Sequence, residues 1–352
     1  METFNLLVTN FTISELMVIG GIIIGSLFGF ISERINFCTR SAIKQLIGIQ
    51  DSQRDKYNLI QLLIAIIISI VGFEVFSFYY SDLELSTRYI TSEISIGGIF
   101  IGTVLFGIGA GLCRGCLSRQ LILFCRGNLR SLFTILISVI VAWSAITGIL
   151  SYPRRFLSEI GKVEINFNNN INFSIICIVT LLCIILVNLN KTYTKKNILF
   201  FLYPSVIGIL VSASFYITGI IGGEGFDPIM VEGLSFISPL VNTFSYIVYS
   251  SAFDPGFGVG FILGAIIGAT FSSLLGKRIQ IQYFEKSTSN WKYFLGAGLM
   301  GFGGVVSGGC AASWLLTGGA VGNIGAIIAF LGFALGIKIS ELKIQINEHI
   351  FA

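Results

Sequence analysis

Nine stretches of this chain are apolar over a length that can cross a bilayer, and this constrains the fold more than any other feature. They fall at about Ile13–Glu33, Tyr57–Phe78, Ile94–Leu112, Leu129–Leu150, Ile171–Val187, Ile198–Ile221, Gly256–Leu275, Trp291–Val306 and Gly322–Ile339. A bilayer interior offers no water to unpaired N–H and C=O groups, so such runs become helices that satisfy their own backbone. Charged residues make up 11% of the 352 residues, against roughly 25% in a soluble domain, too few to cover a water-exposed surface. A net charge of +4 is too small to track nucleic-acid phosphates, so no nucleic-acid partner is expected, and the lipid bilayer is the natural surrounding. The expected fold is an all-α, polytopic membrane protein.

Between the spans lie four shorter segments, Asn36–Ile49, Cys116–Cys125, Leu234–Ser251 and Cys310–Gly318. The first, second and fourth are too short to cross ~30 Å of hydrocarbon at ~1.5 Å per residue, and the third is expected to be interrupted by Pro239. Short or re-entrant helices of this kind are tolerated where they line a cavity. Loop charge sets the orientation. Arg34, Arg40, Lys44, Arg54 and Lys56 mark an internal loop, as do Lys277, Arg278, Lys286 and Lys292, while Glu224, Asp227, Glu232 and Asp254 mark an external one. The N-terminus is therefore expected outside and the C-terminus in the cytoplasm, in the plasma or inner membrane. No basic residue precedes Arg34, so the first run does not read as a cleavable signal peptide.

Residues 102–116 align without gaps on residues 296–310, with Gly102, Leu105, Gly107, Gly109, Gly115 and Cys116 identical to their counterparts. Gly127-Asn128 recurs as Gly322-Asn323. Glycine triplets Gly21/Gly25/Gly29 and Gly260/Gly264/Gly268 precede the two copies and suit close helix packing. Loop charge gives the copies opposite directions. A single transmembrane transporter domain over 1–352 is expected, with repeat one at about 14–150 and repeat two at about 198–340. Inverted repeats with broken helices place their binding site near the midplane.

The only histidine is His349, so no histidine-based metal site, proton relay or Ser-His-Asp triad is available, and neither metal nor cofactor is expected. There is no P-loop for ATP hydrolysis. Of seven cysteines, Cys177 and Cys183 read as small buried hydrophobes, as does Cys125. Cys38, Cys116 and Cys310 differ: each opens a short helix, where free N–H groups favour an anion. Gly115 and Gly309 beside two of them allow close backbone approach. Arg119, one of a cluster with Arg114, Arg126 and Arg130, either belongs to a basic cytoplasmic face or attracts an anion. Cys113 and Cys116 form a C-x-x-C, weak as a zinc motif and open as a redox pair, which keeps a membrane thiol oxidoreductase among the alternatives.

GFISERINFC at 29–38, GIGAGLCRGCLSRQLILFCRGNLRSL at 107–132 and GFGGVVSGGCAASWLLTGG at 301–319 together resemble the YeeE/YedE family of sulfur-compound transporters. That resemblance implies thiosulfate uptake through nine spans plus four short helices, arranged as an hourglass with pseudo-twofold inverted halves. It implies that Cys38, Cys116 and Cys310 line the path and pass the anion along through weak S–H···S hydrogen bonds. A selenium species or another sulfur compound is the alternative cargo, because Arg114-Gly115-Cys116 departs from the Gly-Gly-Cys of thiosulfate members. No sulfur-carrier domain is fused before Ala352, so a TusA-like cytoplasmic carrier is expected as a separate partner.

Overall fold

The computed structural model describes residues 12–48, 57–79, 93–164, 199–223, 231–251, 254–282 and 290–350. In chain order the helices are α1 (Ile13–Ile35), α2 (Thr39–Leu46), α3 (Asn58–Tyr79), α4 (Ile96–Leu112), α5 (Leu117–Cys125), α6 (Leu129–Thr147), α7 (Ser151–Glu159), α8 (Leu199–Gly223), α9 (Ile237–Val248), α10 (Phe257–Leu275), α11 (Asn290–Val306) and α12 (Ile324–Ile350). A π-helix, π1 (Ser313–Gly318), lies between the last two. Strands β1 (Glu93–Ser95) and β2 (Lys162–Glu164) form one small antiparallel pair.

Among the described residues seven helices are long and apolar enough to cross a membrane. α11 is shorter and packs along α4. The expected span Ile171–Val187 lies outside the described residues, as do Cys177 and Cys183. The chain is an all-α, multi-pass membrane protein.

Local chemistry fixes the ends of the helices. Thr12 and Glu15 close a capping box at the start of α1, which satisfies two otherwise orphaned N–H groups. At its other end Asn36 takes a left-handed conformation (φ 54°) and turns the chain directly into α2. Pro239 does not interrupt the third short segment. It sits in the first turn of α9, where the N–H it lacks would have no intrahelical acceptor, so the helix runs on unbroken.

The packing repeats itself under a pseudo-twofold. α1 packs on α10 as α8 packs on α3, α4 on α12 as α11 on α6, and α2 on α3 as α9 on α10. α4 and α11 pack on each other across the axis. There a Cβ on Gly102 would strike Ser307 and Gly303, and a Cβ on Gly296 would strike Cys113 and Gly109. Since Gly296, Ser307 and Gly303 are the counterparts of Gly102, Cys113 and Gly109, the contact is isologous. Gly102 opposite Gly303 and Gly109 opposite Gly296 make α4 and α11 antiparallel.

The two glycine triplets are partners and not counterparts. Gly21, Gly25 and Gly29 of α1 meet Phe257, Phe261 and Ala265 of α10, and Gly260, Gly264 and Gly268 of α10 meet Val18, Ile22 and Ser26 of α1. Both sets advance in the same direction, so these helices run parallel. Each of the six would place an added Cβ under 3.0 Å from the other helix's backbone. Only hydrogen fits at those positions.

Candidate functional site

Both glycine-rich helices end in the same construction. After α4, Arg114 adopts φ 57°, and after α11 its counterpart Gly308 adopts φ 75°. Gln120 Nε2 then donates to Cys113 O at 2.7 Å, and Trp314 Nε1 donates to Ser307 O at 3.0 Å. Both bonds reach back seven residues, and both pairs are 194 residues apart in the chain. Each staple folds the short helix against the helix before it, leaving a cysteine on the turn. These cysteines are Cys116 and Cys310, each 2% exposed.

Cys116 precedes α5, and no side-chain bond caps that helix. Its sulfur accepts from Thr39 Oγ1 at 3.3 Å and shares a hydrogen bond with Ser118 Oγ at 3.1 Å. Cys38 holds the same place before α2, which likewise has no side-chain cap. Thr39, the residue after Cys38, reaches the Cys116 sulfur, so the turns carrying the two buried cysteines meet. Two short helices from distant parts of the chain thus aim their N-termini at one buried pair of thiols, with their positive dipole ends converging.

Cys310 is not part of that pair. Its sulfur accepts from Ser313 N at 3.4 Å. Because α4 and α11 are antiparallel, Cys310 and Cys116 lie toward opposite ends of them, separated along the axis by on the order of 15 Å. One of the three helix-opening thiols thus lies toward one end and two toward the other.

The remaining cysteines and the basic cluster resolve into packing groups. Cys113 Sγ donates to Tyr293 O at 3.5 Å and fills the space beside Gly296, so the two thiols of the C-x-x-C serve different neighbours. Cys125 Sγ donates to Ile266 O at 3.7 Å. Arg119 Nη1 donates to Asn36 Oδ1 at 3.2 Å, which ties α5 to the turn just before Cys38. Gly115 packs against Arg119 and Gln120, and Gly309 O accepts from Ser307 Oγ at 2.8 Å. Arg114 is exposed.

Sequence reasoning missed the residues that brace these thiols. Fully buried Glu33 receives Arg126 Nε at 3.0 Å, Ser272 Oγ at 2.7 Å and Arg278 Nη1 at 3.4 Å. Glu341 on α12 pairs with Arg40 and with Lys44, the latter at 3.0 Å. Both carboxylates hold one end of a short helix in place. Burial pulls the pKa of Arg126 below its usual value, and the nearby Arg119 charge adds to that, while Glu33 opposes both. The available signal was a carboxylate at the edge of an apolar helix, which is costly there unless paired.

The family model for sulphur transport matches residues 34–339. The thiosulfate transporter TsuA of Escherichia coli (strain K12) is 24% identical over 317 residues, covering 84% of this chain and 85% of that protein. The matched region contains both stapled turns and all three helix-opening cysteines. The resemblance carried by the cysteine motifs and the family match agree: this chain belongs to the sulphur transport (YeeE/YedE) family and is a multi-pass sulfur-compound transporter.

Proposed function

We propose that this protein imports thiosulfate across the plasma or inner membrane, passing it from Cys310 to Cys116 and Cys38. The observation that carries this reading is the meeting of two short-helix starts at buried Cys116, where Thr39 of the Cys38 turn reaches its sulfur. Thiosulfate is a dianion with a soft terminal sulfur. Thiols offer it weak S–H donors, and the helix starts offer N–H groups and a positive dipole end. Neither holds a full opposite charge against the ion, so binding stays loose enough for release, as conduction requires. The similarity to a thiosulfate transporter supports the choice of substrate.

Residues 14–150 and 198–340 act as inverted halves in this reading, with the N-terminus outside and the C-terminus in the cytoplasm. Gly115, Gly309 and Arg119 shape the turns around the thiols, and a TusA-like carrier takes up the sulfur inside. Transport fits better than thiol oxidoreduction because Cys113 and Cys116 engage different neighbours.

The test is growth of a sulfur auxotroph on thiosulfate as sole sulfur source. The wild-type gene and Cys113→Ser should support growth, while Cys38→Ala, Cys116→Ala and Cys310→Ala should each abolish or severely slow it. Failure of the wild type to rescue, or full growth with Cys116→Ala, would refute the reading.

A further inference from the structure

The end of the molecule that carries Cys310 holds a partly enclosed cavity of about 290 Å³. Arg154 of α7 lines it together with Ile237 and Ser238 at the start of α9 and Gly304 and Gly308 around the end of α11. Among the described residues its remaining walls are aliphatic, and none of those that line it is acidic. Liquid water takes ~30 Å³ per molecule, so the space holds a small polyatomic anion with part of its hydration shell.

Three independent features point to an anion. Arg154 Nε is buried and has no hydrogen-bond partner, an expensive state for one donor of a guanidinium fork unless a ligand completes it. α9 begins at Ile237 with no side chain capping its first turn, and the Ile237 N–H at the cavity wall has no intrahelical acceptor. Gly308 takes φ 75° with open space where a side chain would stand, two residues before Cys310. Aliphatic walls strengthen each of these interactions by lowering the local dielectric.

We propose that Arg154 and the start of α9 form a capture site for a small divalent oxyanion, which loads the Cys310 turn. The site rests on the transport reading for its place as the entrance, but not for its ligand chemistry. Arg154 supplies the full positive charge that the thiol pathway lacks, and its half-buried position lets it reach the open side of the cavity. Its neighbour Arg155 is exposed and outside the cavity lining, and serves as the control.

The experiment uses the purified full-length protein in detergent for binding and in proteoliposomes for uptake of radiolabelled thiosulfate. Arg154→Gln should weaken thiosulfate binding and raise the half-saturating concentration for uptake roughly tenfold, the effect of losing one charge-assisted hydrogen bond. Maximal rate should stay within about twofold, since the thiols are untouched. Arg154→Lys should recover part of the affinity, Arg155→Gln should match wild type, and the Arg154→Gln thermal transition should be unchanged. Arginine-dependent binding without uptake by the wild type would uphold the capture site while overturning the transport reading. No thiosulfate binding by the wild type, equal affinity in Arg154→Gln, or loss of maximal rate at unchanged affinity would each overturn the capture site.

Discussion

Replacing Glu33 with glutamine keeps the shape of a side chain on which the thiol pair depends and removes its charge. Glu33 is 0% exposed, while the side chains of Arg126 and Arg278 are 18% and 40% exposed. Breaking a fully buried ion pair costs roughly 3–5 kcal/mol, because the partner charge is left uncompensated. Arg278 is exposed enough to turn to solvent, so its share is that of a surface pair, roughly 0–1 kcal/mol. Arg126 keeps its bond to Glu33 O at 2.8 Å, and its own exposure lets some water in. Together these reduce the expected cost to about 2–3 kcal/mol. Reversible unfolding in mixed micelles, titrated with denaturing detergent and read by circular dichroism, measures it. In a double-mutant cycle, Glu33→Gln with Arg126→Gln should show coupling of about 1–2 kcal/mol, with the double variant less damaged than the sum. Additive effects, or Glu33→Gln within about 0.5 kcal/mol of wild type, would show that the cluster does not brace the fold.

Gly25→Ala should cost about 1–3 kcal/mol by forcing α1 off α10, and Gly25→Leu should prevent accumulation of monodisperse protein on size-exclusion chromatography. Asn128 accepts from Arg130 N and Ser131 N, and Asn323 accepts from Gly325 N, so each caps the helix it precedes. Asn128→Ala and Asn323→Ala should each lower stability by about 1 kcal/mol in the same unfolding assay.

Much of this architecture is legible in the chain because bilayers act on local properties. Apolar length marks the spans, glycine spacing marks the close contacts, and a cysteine after a glycine run marks each stapled turn. What the chain conceals depends on pairs far apart in sequence. Thr39 next to Cys116 follows from how α2 and α5 meet, and no spacing rule encodes that. Glu33 and Glu341 look like loop-edge charges until their arginine and lysine partners arrive from other helices. Pro239 was misread because a proline near the start of a short segment can break a helix or begin one. Ser238 directly before Pro239 is the start signal that separates the two, although the helix begins one residue earlier, at Ile237. α7 and β2 lie in a nearly neutral stretch without apolar periodicity, and β1 overlaps the start of the apolar span at Ile94, so nothing local announces the pair.

π1 winds one more residue into its helix than the matching turn of α5. The offset between the copies is 194 residues at Cys116 and Cys310 but 195 at Asn128 and Asn323, and π1 lies between those points. A π-turn takes up one extra residue in a single wider turn, so the insertion is absorbed between Ser313 and Gly318. Side chains within the wider turn therefore stand out of register with the first copy, and one of them, Thr317, reaches Leu234 O at 2.8 Å. Such an insertion is a one-residue event, neutral to the spans on either side, yet it makes the two halves unequal. A protein built from interchangeable halves would present the same face to both sides of the membrane. Here the halves differ by one residue of backbone, and deleting a single residue between Ser313 and Gly318 is the smallest edit that would test whether directionality depends on it.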